Sequence, residues 1–219
     1  MAIWVDDIFH AGTKEFEKEV MVEVGKKFMI GRTEEEAFSY IGLNIETNEK
    51  GITLDQIDFI KKRLETLKLR GGNNSRPLDK EETQLLRHLT GKINWAATQS
   101  QPDIAYMVVE LNMNFKKGCL KDMKKVNKVI NRLKGNPVKI IFLKIEGDLE
   151  ITMYSDGAFA NLRNKISSRC GHVIFLTEKG GEKAGPLAWM SNKVKRVVES
   201  TPAAKSLSLQ EAIAHGCHL

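Results

Sequence analysis

Apolar and polar positions change period several times along the chain, and each change marks a candidate element. At the start, Ala2-Ile3-Trp4-Val5 and Ile8-Phe9 are short apolar runs interrupted by Asp6-Asp7. That pattern suits a β-hairpin with the acidic pair at its tip, ended by Ala11-Gly12-Thr13. From Lys14 to Lys27, Phe16, Val20, Met21 and Val24 recur at spacings of three and four, which predicts an amphipathic helix closing near Gly25. Ala37 to Thr47 alternates as one strand, and Asn48-Glu49-Lys50-Gly51 turns the chain into Ile52-Thr53-Leu54. This first stretch reads as α+β.

The next stretch is helical. Ile57, Ile60, Leu64 and Leu67 predict a helix over Asp55 to Leu67, and the Gly, Asn, Ser and Pro residues between Arg70 and Pro77 predict a loop. Asp79 is placed to cap a helix from Lys80 to about Thr98, with Glu81 and Glu82 near the positive end of its dipole. Two more helices are expected, from Pro102 to Phe115 and from Lys121 to Lys134, the second ending at Gly135-Asn136-Pro137, the best domain boundary. Beyond it the period becomes that of strands. Val138 to Ile145 is expected to pair with Leu149 to Tyr154 around Glu146-Gly147-Asp148, followed by strands at Cys170 to Leu176 and Leu187 to Met190 and a helix from Pro202 to His218. Strands followed by a helix suggest the opening of a second α+β unit.

Composition narrows the class. With 219 residues and 42% hydrophobic content, the chain is long enough for one large domain or two small ones with real cores. The net charge of +6 and pI near 9.1 are compatible with a polyanionic partner such as nucleic acid. Cys119, Cys170 and Cys217 lie far apart with no C-x-x-C spacing, which argues against a zinc knuckle and against a secreted disulfide framework, so an intracellular location is expected, with cytoplasm and nucleus left open. No apolar run reaches the roughly 18 residues of a membrane span, and the N-terminus has no signal-peptide pattern.

Two adjacent aspartates at a hairpin tip can bring carboxylate oxygens together for a hard divalent cation such as Mg²⁺, although Asp6 and Asp7 taken alone are more often plain turn residues. Their surroundings carry more. Trp4-Val5-Asp6-Asp7 resembles the Tyr-Val-Asp-Asp tip of reverse transcriptases, and the residues beyond this tip are similar to the copia type of retrotransposon Pol polyprotein in order and approximate spacing. Tyr40-Ile41-Gly42-Leu43-Asn44-Ile45 is similar to the family's Tyr-Leu-Gly-x-x-Ile strand, and Gly51-Ile52-Thr53-Leu54-Asp55-Gln56 to its Gly-Ile-x-Leu-x-Gln turn. Leu89-Thr90-Gly91, Gln101-Pro102-Asp103-Ile104-Ala105-Tyr106 and Arg132-Leu133-Lys134-Gly135 fit later segments. Tyr154 through Ala160, Ser167 through Leu176, and Trp189-Met190-Ser191-Asn192-Lys193 resemble the start of the family's ribonuclease H.

The resemblance implies an α+β chain with part of a reverse-transcriptase palm at residues 1–55, a mainly helical thumb and connection at 56–136, and an incomplete ribonuclease H-like domain at 137–219. It implies Mg²⁺ as cofactor and RNA–DNA hybrid as partner, with vestigial metal-binding roles for Asp6, Asp7 and Asp156. Asp156, which by itself reads as a turn residue before Gly157, matches the first catalytic aspartate of ribonuclease H. The family's next catalytic carboxylate is a glutamate within Ser-Thr-x-Ala-Ala-Glu-x-Leu. Here the segment is Ser200-Thr201-Pro202-Ala203-Ala204-Lys205-Ser206-Leu207, so Lys205 stands in its place. An ion pair of Lys205 with Asp156 is expected, with Glu199 and Glu211 turned elsewhere. The family's earlier palm aspartate would precede Trp4 and its later ribonuclease H aspartate would come after Leu219, so both polymerase and nuclease activity are expected to be absent, a non-catalytic nucleic-acid-binding module being the alternative. Lys121, Lys124, Lys125, Lys128 and Arg132 form a basic helix that could track a phosphate backbone or simply be solvated. His215 and His218 read as a solvated helix end.

Overall fold

The computed structural model describes residues 2–4, 7–112, 118–160, 168–194 and 196–219. Its elements run β1 (Ala2–Trp4), β2 (Asp7–Phe9), α1 (Lys14–Phe16), a π-helical turn (Glu17–Met21), α2 (Val22–Lys27), β3 (Ala37–Tyr40), β4 (Leu43–Asn48), β5 (Gly51–Asp55) and α3 (Ile57–Arg63). Then come α4 (Lys80–Gln99), a 3-10 turn (Pro102–Ile104), α5 (Ala105–Asn112), α6 (Leu120–Gly135), β6 (Ile140–Leu143), β7 (Leu149–Ala158), β8 (Arg169–Glu178), β9 (Ala184–Lys193) and α7 (Thr201–Gly216).

β1 and β2 form the expected hairpin, with Trp4 opposite Asp7. The predicted helix from Lys14 to Lys27 is continuous but contains the π-helical turn, and Phe16, Val20, Met21 and Val24 reach only half burial, so this region adds no buried side chain. The single strand expected over 37–47 is in fact a hairpin. Ile41 and Gly42 both take positive φ (51° and 74°), the geometry of a two-residue β-turn, and β3 folds back on β4 with Tyr40 opposite Leu43. Alternation continues through the turn because Ile41 is apolar. A β-branched residue at positive φ is strained, so nothing local announced the reversal.

The second hairpin, β4 to β5, is closed by Asn48, whose Oδ1 accepts from the Lys50 N–H at 2.9 Å. β6 then pairs antiparallel with β5, giving the sheet order β3-β4-β5-β6. This corrects the expected pairing of the 138–145 strand with the strand after it: β6 belongs to the sheet built before the helices. At Gly51 (φ 145°) a Cβ would overlap the carbonyl oxygen of Phe142, so glycine permits the close pairing.

The principal core lies among α3 to α6. Ile60, Leu64, Leu86, Ile93, Ile104, Met123, Val126, Ile130 and Leu133 are buried there in one cluster. Their 3.6-residue periodicity is what makes one face of α4 and of α6 apolar. α4 starts where expected. Asp79 accepts from the Glu82 N–H at 2.8 Å, and Glu82 accepts from the Asp79 N–H at 3.2 Å. Arg76 forks onto the buried Glu82 at 3.0 and 2.7 Å, which lowers the Glu82 carboxyl pKa.

α3 is shorter than its apolar spacing predicts. Asp55 remains in β5, where its Oδ1 accepts from Asn44 and from the Ile57 N–H, and the helix ends at Arg63. Leu64 and Leu67 are buried outside it, and Asn127 of α6 pairs with both the N–H and the carbonyl of Leu67 at 2.7 and 2.9 Å. The helix expected from Pro102 to Phe115 begins as the 3-10 turn and continues as α5 to Asn112; its expected end lies outside the described residues.

β7, β8 and β9 form an antiparallel sheet in that order, each strand longer than its apolar run, and α7 packs on β7 and β8. One tie joins this unit to the helices, and another joins the helices to the segment leading into β6. Trp189 Nε1 donates to the Ala97 carbonyl at 2.6 Å, satisfying one of the last orphan acceptors of α4. Gln101 bonds both the N–H and the carbonyl of Val138 at 2.9 Å.

Candidate functional site

Asp156 lies within β7 rather than just beyond its end, opposite Gly171 of β8. α7 is laid across it by local chemistry. Ser200 caps the helix by accepting from the Ala203 N–H at 3.3 Å, and Pro202 falls in the first turn, where a missing N–H costs nothing. The helix then passes so close to the sheet that a Cβ on Gly157 would overlap the Ala204 carbonyl. Ser208, fully buried, shares its hydroxyl between the carbonyls of Asp156 at 2.8 Å and Gly171 at 3.1 Å.

This docking brings Lys205 Nζ to 3.3 Å from Asp156 Oδ1. The Lys205 side chain is 61% exposed and that of Asp156 76%, so the pair is worth at most about 1 kcal/mol. The roughly 4 kcal/mol expected for a pair at an effective dielectric of 20 overstates it. Its importance is positional: an ammonium occupies the place beside Asp156 where a metal site needs an anion. Glu199 is exposed with no ion pair among the described residues, and Glu211 Oε2 accepts from Cys170 Sγ at 3.1 Å. Among the described residues no three His, Cys, Asp or Glu side chains are grouped to hold a metal ion. One carboxylate neutralised by a lysine does not fit a two-ion Mg²⁺ site.

The acidic pair of the hairpin is only partly described. Asp7 is exposed at the start of β2, opposite Trp4, while Asp6 lies outside the described residues. The basic helix is α6, and much of its charge is engaged within the fold. Lys124 Nζ donates to Asn74 Oδ1 at 2.9 Å, Lys125 pairs with Glu110 at 3.4 Å, and Arg132 pairs with Asp103 at 3.0 Å. Lys121 and Lys128 are exposed and carry no side-chain partner among the described residues.

Three arrangements were not foreseen. His215, expected at a solvated helix end, instead places Nδ1 at 2.9 Å from Nε2 of the buried His172. They line a cleft of about 580 Å³ with Val109, Asn112, Asn192 and Glu211. Burial, and then the neighbouring His215, lowers the His172 pKa. In the same layer burial and the Glu211 carboxylate push the Cys170 thiol up to about 12. Arg169, also buried, stacks its guanidinium 3.7 Å from the centroid of Tyr106 on α5. The i, i+4 spacing of Glu211 and His215 and the i, i+2 spacing of Cys170 and His172 place each pair on one face, a signal that only the β8–α7 contact makes legible.

No family model matches the chain. The architecture is similar to that of the foamy viral protease-reverse transcriptase, solved in complex with RNA/DNA hybrid, with a TM-score of 0.53 and 12% identity over 95% of this chain and 27% of that one. The class defined by the fold is thus an α+β chain shaped like part of that structure. In sequence, 123 residues (56% of the chain) are 28% identical to the Retrovirus-related Pol polyprotein from transposon RE1 of Arabidopsis thaliana, and an equal stretch matches that from transposon RE2 to the same degree. The chain is similar to a segment of retrotransposon Pol, and the match covers 8% of each polyprotein.

Proposed function

We propose that this chain is a copia-type Pol segment that has lost ribonuclease H chemistry and retains, at most, binding of RNA–DNA hybrid. The observation that carries the reading is the Lys205 ammonium 3.3 Å from Asp156 Oδ1. Hydrolysis of a phosphodiester by paired Mg²⁺ ions requires carboxylates that hold both ions, roughly 3.5–4 Å apart, against the scissile phosphate. A cation at the position of the second carboxylate repels the metal and neutralises the first. Asp7, exposed on a two-strand hairpin, belongs to no described group of three side chains able to hold a metal ion, which supports the same reading for polymerase chemistry.

Binding is supported by the net charge of +6 and by the exposed Lys121 and Lys128 of α6. The test is cleavage of the RNA strand of an RNA–DNA hybrid in Mg²⁺ and in Mn²⁺ by the natural chain and by Lys205→Glu. The natural chain is expected to leave the hybrid intact while binding it with an affinity that falls steeply with salt. Metal-dependent cleavage by the natural chain would overturn the catalytic part, and salt-independent or absent binding the other.

A further inference from the structure

We infer that His172 and His215 form an acid-released catch, which holds the C-terminal half of α7 on β8 only while both imidazoles are neutral. The two halves of α7 are fixed to the sheet differently. Ser200 caps the first turn, the Ala204 carbonyl lies against Gly157, and the Ser208 hydroxyl bonds the carbonyls of Asp156 and Gly171. None of those groups titrates near neutrality. Beyond Ser208, the side-chain hydrogen bonds from α7 to the sheet among the described residues are two: Cys170 Sγ to Glu211 Oε2 at 3.1 Å, and His172 Nε2 with His215 Nδ1 at 2.9 Å.

The placement of the ring nitrogens decides what a proton does to this pair. His172 is 6% exposed, and its Nδ1 is buried with no hydrogen-bond partner among the described residues. His215 is only partly buried and lines the cleft, which leaves its Nε2 to water. One hydrogen can lie between the two facing nitrogens. If His215 supplied it, His172 would carry its own hydrogen on Nδ1, a buried donor without an acceptor. Hydrogen bonding therefore assigns the donor to His172 Nε2 and the acceptor to His215 Nδ1, with each ring neutral.

Any added proton breaks that arrangement. On His215 Nδ1 it sets two N–H donors against each other at 2.9 Å; on His172 Nδ1 it creates a buried imidazolium whose new N–H has no acceptor. Moving the His172 hydrogen to Nδ1 to make room only strands it there. The surrounding charges do not reverse this. Glu211, one turn from His215, favours a cation, but its carboxylate already accepts from the Cys170 thiol, and Lys193 of β9 lines the same cleft as a competing cation. α5 contributes Val109 and Asn112, and Ser155 of β7 stands opposite His172, none of them charged. Burial and the facing His215 lower the His172 pKa, in the same direction as the geometry. Once the end of α7 lifts, both rings are hydrated and take up protons freely, so acid favours the open form. Gly216, which lies over Met153 and Ile174, leaves with it and uncovers the β8 face that carries His172 and Ile174.

The test is hydrogen–deuterium exchange of the purified chain, read by mass spectrometry in peptides covering residues 200–208 and 209–219 from about pH 8 to about pH 5, each rate divided by its intrinsic value at that pH. Exchange of 209–219 should rise as pH falls, by about tenfold per pH unit for one proton taken up on opening, while 200–208 keeps its protection. His172→Gln should abolish the rise, because an amide can donate to His215 Nδ1 or accept from its N–H, whichever form that ring takes. No rise, a parallel rise in both peptides, or an equal rise in His172→Gln would overturn the inference. If His172→Gln leaves 209–219 unprotected at every pH, His215→Gln decides: its rise should be smaller than that of the natural chain, and an equal one would overturn the inference.

Discussion

Substituting Gly157 with alanine tests the contact on which the Asp156 site is built. The added methyl would overlap the carbonyl of Ala204, and backbone cannot swing aside as a flexible side chain would, so α7 must move off β7 until the atoms reach ordinary contact at about 3.5–4 Å. Overpacking of this kind costs about 1–3 kcal/mol. The shift also stretches the two Ser208 bonds to the Asp156 and Gly171 carbonyls, worth about 1 kcal/mol each at most. Against this, alanine restricts the unfolded chain and returns about 0.4–1 kcal/mol, since Gly157 is not among the residues at positive φ. The net expectation is a loss of about 1–4 kcal/mol, or a melting midpoint lower by roughly 3–15 °C for a chain of this size. Gly91→Ala is the internal control: a Cβ there meets nothing within 4 Å in the middle of α4, so that variant should gain up to about 1 kcal/mol. Thermal unfolding followed by circular dichroism reads both. A Gly157→Ala protein as stable as the parent would refute the close docking of α7, and with it the placement of Lys205 against Asp156.

Three further outcomes are expected. Cys217, exposed, should be alkylated by iodoacetamide near neutral pH, whereas Cys170, held protonated with a pKa of about 12 and buried, should react only on unfolding; mass spectrometry of peptides decides, and prompt labelling of Cys170 in folded protein would contradict its environment. The lowered pKa of His172 means that the unfolded state binds the proton first, so its contribution to stability is complete above the ordinary histidine value of 6.5 and is lost as pH falls from there through the folded pKa. His172→Gln should therefore flatten the stability profile just below that pH, and an unchanged acid slope would count against the buried histidine pair. If hybrid is bound through α6, Lys121→Ala and Lys128→Ala should each reduce the salt slope of log K by up to about 1, while Lys125→Ala, whose ammonium is paired with Glu110, should change it less; equal effects would show that the internal pair yields to phosphate.

The amino-acid order determined much of the secondary structure because the signals involved are local. Apolar spacing marks α4 and α6, the Asp79 and Glu82 pair fixes where α4 begins, and Ser200-Thr201-Pro202 starts α7 within its cap and first turn. The ion pair of Lys205 with Asp156 was also readable, since α7 needs only to lie on β7 for the ammonium to reach the carboxylate. Tertiary structure decided what depends on distant partners. β6 joined β5 across the whole helical stretch, a choice between sheets that the apolar content of residues 138–145 cannot express. The reversal at Ile41-Gly42 was set by pairing of β3 with β4, against the preference of a β-branched residue. Leu64 and Leu67 continued a helical spacing outside the helix because Asn127, from α6, supplied the backbone partners that another turn would have given. The burial of His172 against His215 and of Cys170 against Glu211 likewise exists only once α7 covers β8, because desolvation and hydrogen bonding are properties of the neighbourhood and not of the residue.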